Sequence, residues 1–274
     1  MTETPRISAL MPAYNAADFI QPVLDSLSAQ AGRDLEVVVS VDQCDDGTFE
    51  ICLAHAARDR RFRVVRQDSR LGWIGNSNYL LGQATGEYAI FAFHDDRLAP
   101  ACIDRLARIL DARPDVVMAY GDVELTHADG AREHWHYQEL EGLADPVARG
   151  RRLLRRNGQW WVAMHGLFRT AQARRIGGLK FHGAGAFSAD WPWLLHLSLL
   201  GEFARLPETL CFKRYHASSL SRSWAYSPEA YFEASASCLR EIWNSGLSSR
   251  QKLELALPFM QWLQRGRPAA AHPV

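Results

Sequence analysis

The sequence predicts an α/β fold in which a mostly parallel central sheet is flanked by helices and followed by a C-terminal helical annex. Three observations predict it. Short runs apolar on both faces alternate with segments of helical period through the first half of the chain. Polar clusters follow several of those runs, and beyond residue 222 the pattern becomes helical only.

The elements follow in order. RISALMP, from Arg6, reads as the first strand, and NAADFIQPVLDSLSAQA, with Phe19, Ile20, Val23, Leu24 and Leu27 at helical spacing, as the first helix. LEVVVSV is a β-branched run too continuous to be one-sided, and DDGTFEICLAHAARD is the next helix, opened by acidic residues suited to a helix start. FRVVRQ is a third strand, GNSNYLLGQAT a short helix closed by Gly86, and YAIFAF a fourth strand. A helix starts near Pro100. VVMAYGDVELTHADGAREHWHYQ then reads as a strand pair around an ADG turn. His127, His134 and His136 alternate along that hairpin, but no cysteine or carboxylate completes a tetrahedral zinc set at recognisable spacing.

A basic helix follows, with Arg151, Arg152, Arg155 and Arg156 either a solvated face or a site for phosphate or anionic lipid. Trp160 and Trp161 next to it suit either a core or stacking on the apolar face of a sugar. GAGAFSAD reaches Asp190 at the mouth of an apolar helix, as a helix cap or as a general base. ETLCF is strand-like, and FKRYH after it delivers Arg214 and His216 to a polar loop. SPEAYFEASASCLREIWNSG and SSRQKLELALPFMQWLQRG read as amphipathic helices, each opened by a serine and an acidic residue. They either cover the sheet or dock on a membrane or partner through Phe259, Trp262 and Leu263. The terminal GRPAAAHPV reads as frayed.

Composition narrows the class. With 274 residues and 47 % hydrophobic content, the chain can bury a core without staples. Lys+Arg and Asp+Glu balance at 31 each, which points away from a nucleic-acid partner. Five scattered cysteines, Cys44, Cys52, Cys102, Cys211 and Cys238, form no CxxC and argue against a disulfide framework or structural zinc. No secretory leader is legible and no run reaches the roughly 18 apolar residues that span a bilayer, so the expectation is a soluble protein of a reducing cytoplasm.

In parallel sheets ligands gather beyond the carboxyl ends of the strands. PAYN, VDQCDD and HDD each stand at such an end. Asp95 and Asp96 lie several residues before the next helix, too early to cap it. Two adjacent carboxylates repel, and a divalent cation with oxygen ligands, itself able to hold a diphosphate, relieves the repulsion.

Over roughly its first 220 residues the chain resembles the family 2 nucleotide-sugar glycosyltransferases of the GT-A, Rossmann-like fold. The likeness rests on an ordered set: PAYNAADFIQPVLDSLSAQ, LEVVVSVDQCDDGT, ATGEYAIFAFHDD, SADWPWLLHLSLLGEF and KRYHASSLSR. The resemblance implies a GT-A domain over residues 1–222, split into a nucleotide-binding half (1–112) and an acceptor-binding half (113–222), with a helical extension over 223–274. It implies that Pro12, Ala13, Tyr14 and Asn15 line the nucleotide pocket, that Asp42 hydrogen-bonds the base, and that Asn78 and Asp95 face the nucleotide. Asp96, Asp95 and His216 would hold Mg²⁺ or Mn²⁺ on the diphosphate, with Asp190 as catalytic base and Trp160, Trp161 and Trp191 toward the acceptor. Three positions depart from the family pattern: Phe93 replaces the first Asp of the DxD-type element, Ala189 the Glu before Asp190, and His196 a common Arg.

The implied reaction moves a sugar from a nucleotide-diphosphate sugar donor to a hydroxyl of a glycan, lipid-linked or other acceptor, as in bacterial polysaccharide or glycoconjugate assembly. It would be one metal-assisted displacement with inversion. The alternative is a catalytically silent nucleotide-sugar-binding subunit of a glycan-assembly complex. The expected location is the cytoplasm, including the inner face of the membrane.

Overall fold

The computed structural model describes residues 5–31, 34–127, 129–156, 158–216, 219–224 and 226–264. GRPAAAHPV, and Ala217 and Ser218 within KRYHASSLSR, lie outside the described residues.

The first half is built from β1 (Ile7–Ala13), β2 (Leu35–Val41), β3 (Phe62–Arg66) and β4 (Tyr88–Phe91). All their pairings are parallel, with β1 between β2 and β4, and β3 beyond β2. Ile7 lies opposite both Leu35 and Tyr88, so the strands start together and their carboxyl ends emerge at one edge. β1, β4 and nearly all of β2 are buried on both faces, as the continuous apolar runs require.

Helices α1 (Gln21–Ser28), α2 (Thr48–Ala56) and α3 (Gly72–Gln83) make the crossovers. Pro22 sits in the first turn of α1, where its missing N–H leaves no helical bond unmade. Asp46 accepts from the Thr48 amide at 3.1 Å at the start of α2.

The second half contains β5 (Asp96–Leu98), α4 (Cys102–Ala112), β6 (Val116–Thr126), β7 (Arg132–Trp135) and α5 (Pro146–Leu154). A 3₁₀ turn over Trp160–His165 leads to β8 (Leu167–Arg169) and α6 (Thr170–Arg175), then α7 (Asp190–Leu200) and β9 (Glu202–Arg214). The nine strands join in one sheet of order β3-β2-β1-β4-β8-β6-β9-β5, with β7 paired to β6. β6 and β9 are parallel, whereas β8 runs antiparallel to both β4 and β6, and β5 antiparallel to β9. The sheet is thus parallel through β1–β4 and mixed beyond them. Local periodicity does not register strand direction, so the mixed half was not legible in the sequence.

The annex consists of α8 (Pro228–Asn244) and α9 (Ser249–Gln264). Ser227 caps α8 by accepting from the Ala230 amide at 3.2 Å. α8 is joined to α7 through Glu241, whose carboxylate takes the Lys180 ammonium at 2.7 and 2.8 Å and His196 Nδ1 at 2.5 Å. α9 lies against α5, with Arg151 on Glu254 at 2.9 Å. Phe259 is buried against Trp191, and Trp262 and Leu263 pack on the same core. Of the three residues expected to form a docking face, Phe259 therefore turns inward onto α7, while Trp262 and Leu263 remain half-buried. No helix of the described residues is long and apolar enough to cross a membrane. All five cysteines are free thiols.

Gly86 shows how tightly the parallel half is packed. A Cβ there would lie 2.8 Å from the Arg6 carbonyl oxygen and from the Ile7 backbone. Gly86→Ala is expected to lower unfolding stability by about 1–3 kcal/mol, measured by urea titration, because backbone cannot yield as a side chain can.

Candidate functional site

The carboxyl ends of the parallel strands meet. His94 Nδ1 lies 2.8 Å from the Pro12 carbonyl oxygen, which joins the end of β4 to the end of β1. Phe19 stacks on His94 at 5.6 Å between ring centres and touches the His216 ring at 4.4 Å. PAYN, HDD and the loop after β9 are thereby brought to one place. Asn15 adopts a left-handed φ of 46°, as befits the turn leaving β1. The Arg70 guanidinium lies 3.9 Å from the centre of the Tyr14 ring. Asp42 is buried at the end of β2, and its two oxygens accept from the amides of Leu71 and Gly72 at 2.7 and 2.8 Å. That carboxylate organises the entrance of α3, where the amide dipoles favour a negative charge.

Asp95 and Asp96, adjacent in sequence, separate in space. Asp96 is 2 % exposed and opens β5 opposite Lys213 of β9. Its oxygens take the Lys213 ammonium at 3.1 and 3.2 Å and His165 Nε2 at 3.1 Å. Burial would lower the Lys213 ammonium, yet Asp96 and Asp95 hold it well above the ordinary lysine range. The Asp95 side chain keeps 15 % exposure, and its Oδ2 lies 3.4 Å from His216 Nε2. Burial would raise the Asp95 carboxyl, but Lys213, His216 and His94 outweigh it and hold it well below the usual carboxylate range.

This geometry discriminates between two donor sets. Asp96, His165 and Cys211 place one ligand atom each within 4.8 Å of one another, but Asp96 already carries Lys213. Asp95 and His216 form an oxygen and nitrogen pair on the partly open side. Their 3.4 Å separation brings both within reach of one divalent cation, were it bound there.

Asp190 is the first residue of α7 and is partly exposed. Burial of its carboxyl raises it to about 6, against the opposing pull of Arg156, nearby backbone amides and His165. His165 contacts Asp96 at 3.1 Å. Arg156 is buried under an aromatic cage, with its guanidinium 4.6 Å from the Trp191 ring centre, 4.8 Å from Tyr231 and 5.2 Å from Trp160.

The family described as "Glycosyl transferase family 2" matches residues 8–180, well over half of the chain. The chain belongs to glycosyl transferase family 2. Among its curated relatives, the GalNAc(5)-diNAcBac-PP-undecaprenol beta-1,3-glucosyltransferase of Campylobacter jejuni is 30 % identical over 103 residues, covering 37 % of this chain and 33 % of that protein. Across eight curated relatives the chain spans 29 to 63 % of their length. Two solved structures share its GT-A fold. TarS of S. aureus in complex with UDP-GlcNAc is 19 % identical, with a TM-score of 0.70 over 93 % of this chain and 71 % of that one. The mannosyltransferase PcManGT of Pyrobaculum calidifontis, in complex with GDP-Man and Mn²⁺, is 18 % identical, with a TM-score of 0.61 over 99 % and 77 %.

Several residues of this family 2 chain are not where the sequence suggested. Asp96, expected as a metal ligand, is buried with its register set against Lys213, and its ligand neighbours within 4.8 Å are His165 and Cys211. Asn78 does not present a free amide to a nucleotide, since its two polar atoms bind the Leu179 backbone at 2.8 and 2.9 Å. Trp160 and Trp191 are each 1 % exposed, so they are core walls around Arg156 rather than surfaces for an acceptor. Trp161 alone of the three is partly open, edge-on to Trp135. Arg151 and Arg152 sit on Glu254 and Glu139, a solvated face, while Arg156 faces the interior. The hairpin histidines form no metal cluster among the described residues; His127 lies on Glu133 and His134 on Thr209.

Two residues were missed, Lys213 and His165. Lys213 alone had a signal, being two residues beyond buried Cys211 in a strand and so on the same face.

Removing Lys213 leaves Asp96 buried with only a histidine for company. Lys213→Met is expected to destabilise the metal-free protein by about 3–5 kcal/mol in urea unfolding at neutral pH, and the added mutation Asp96→Asn to recover much of it.

Proposed function

We propose that this family 2 chain is an inverting glycosyltransferase that moves a sugar from a nucleotide-diphosphate sugar to an acceptor hydroxyl. The observation that carries the reading is Asp190: a partly buried carboxyl at the first turn of α7, which burial raises to about 6. A base is most effective when its pKa lies near the working pH. Support for the donor class comes from TarS, solved with UDP-GlcNAc, and PcManGT, solved with GDP-Man and Mn²⁺. The Campylobacter jejuni relative, a glucosyltransferase on an undecaprenol-linked glycan by its name, suggests glycan assembly as the setting.

Pro12 to Asn15 and the loop ordered by Asp42 would line the nucleoside. Asp95 and His216 would hold Mn²⁺ or Mg²⁺, which when bound neutralises the charge growing on the diphosphate leaving group. Asp190 takes the proton of the acceptor hydroxyl as its oxygen bonds to the anomeric carbon. The bond from that carbon to the diphosphate breaks on the opposite face, so configuration inverts and no covalent enzyme intermediate forms. Phe93, packed on Phe91 and His165, offers no carboxylate to the ribose. A silent binding subunit would hold the same donor without turning it over.

Donor binding tests what the two readings share, and turnover decides between them. Thermal unfolding with UDP, GDP and their sugars should rise with at least one donor and more so with Mn²⁺. Asp95→Asn and His216→Ala should each abolish the metal-dependent part, and an undiminished shift in both would exclude that metal pair.

Turnover requires the Asp190 carboxylate, so kcat/KM should climb through about pH 6 and level off above it. Asp190→Asn should lower kcat by at least about 10²-fold with nucleotide binding unchanged. The sign for stability is opposite. Because the folded pKa is raised, this carboxyl's contribution is complete below its ordinary 3.8 and is lost as pH rises through about 6. Asp190→Asn should therefore be more stable than wild type at pH 8, by about 1–2 kcal/mol. Full activity in Asp190→Asn would remove Asp190 as base.

A further inference from the structure

A cleft of about 530 Å³ opens between the 183–187 loop and the first turns of α8, lined by Gly183, Phe187, Trp224, Glu229 and Glu233 among others. We propose that this cleft is the acceptor subsite and that it takes an uncharged saccharide rather than a phosphate-bearing chain. The proposal rests on the glycosyltransferase reading above and names its acceptor class.

Size, walls and polarity all fit. The cleft is open to solvent along one side, and its volume leaves room for a sugar ring. Phe187 is buried and held edge-on by Tyr226 at 5.5 Å and Tyr231 at 5.2 Å, and it meets Trp224 edge-on at 5.5 Å. Trp224 is thereby braced yet half-exposed, the condition for stacking on the apolar face of a sugar. Glu229 and Glu233 are four residues apart on α8 and so share a face. Carboxylates accept charge-assisted hydrogen bonds from sugar hydroxyls and repel phosphates. None of the described residues lining the cleft is basic.

The loop is fixed in place. His182 Nε2 lies 2.6 Å from the Phe187 carbonyl oxygen, and the backbones of His182 and Gly185 bind each other at 2.8 and 3.2 Å. Glu233 accepts from the Gly183 amide at 3.2 Å, and a Cβ on Gly183 would come within 2.2 Å of that carboxylate. Phe187 stands three residues before Asp190 in the chain and rests on Tyr231, whose ring also faces Arg156.

The full chain can be titrated with cellobiose, lactose and maltose, and with maltose 1-phosphate, by saturation-transfer NMR with and without UDP and Mn²⁺. At least one neutral disaccharide should bind saturably, and the phosphorylated sugar at least tenfold more weakly than maltose. Trp224→Ala and Glu233→Gln should each weaken saccharide binding at least tenfold and leave UDP binding unchanged. Gly183→Ala should do the same by pushing aside only the end of the Glu233 side chain, which keeps the test valid where Trp224→Ala fails to fold. The proposal is overturned by absence of saccharide binding to wild type, by maltose 1-phosphate binding as well as maltose, or by full saccharide affinity in Gly183→Ala and Glu233→Gln. A chain that binds no nucleotide would refute the donor assignment instead, and the titration without UDP still decides this one.

Discussion

Asp96 is buried with its charge, and a buried carboxylate is tolerable only beside a partner. Lys213 supplies it, and much of the site depends on that pairing. β5 is three residues long and is held on β9 in the register that sets Asp96 opposite Lys213. His165, from the turn before β8, closes the other side of the same carboxylate. Three segments distant in sequence are thus tied at one point by charge, where a misplaced register would leave an ion in apolar surroundings at a cost of several kcal/mol. Because one carboxylate is committed to the interior, the residue before it, Asp95, is left toward His216.

A second network decides where Asp190 stands. Asn78, on α3, binds both backbone groups of Leu179, and one residue later Lys180 meets Glu241. Glu241 also holds His196 within α7. The loop that ends at Asp190 is therefore anchored at its start to the parallel half and to α8. Residues 223–264 are in this sense part of the site: α8 supplies Glu241 to the loop and Tyr231 to the cage around Arg156. His196, one of the expected departures from the family pattern, has a glutamate of the annex as its partner.

The same packing explains why tryptophans that look like sugar platforms are not. Trp160 and Trp191 enclose Arg156, whose guanidinium stacks on their faces and on Tyr231. Burial of that cation is eased by the negative faces of the rings. Its charge in turn moderates the rise of the Asp190 carboxyl, which burial alone would push further.

From the sequence by itself came the alternation of buried runs with helices, the parallel first half, the convergence of PAYN, VDQCDD and HDD, and the candidacy of Asp95, Asp190 and His216. These are local matters: periodicity, capping and the emergence of strands at one edge follow from neighbours along the chain. Only the tertiary structure decided that Asp96 faces Lys213 while Asp95 faces His216, that Asn78 binds a backbone a hundred residues away, and that Phe259 and two of the tryptophans turn inward. Each of those depends on strand register or on which face of a helix meets another element. Such pairings are set by the sum of nonlocal burial and charge, which no short stretch of sequence contains.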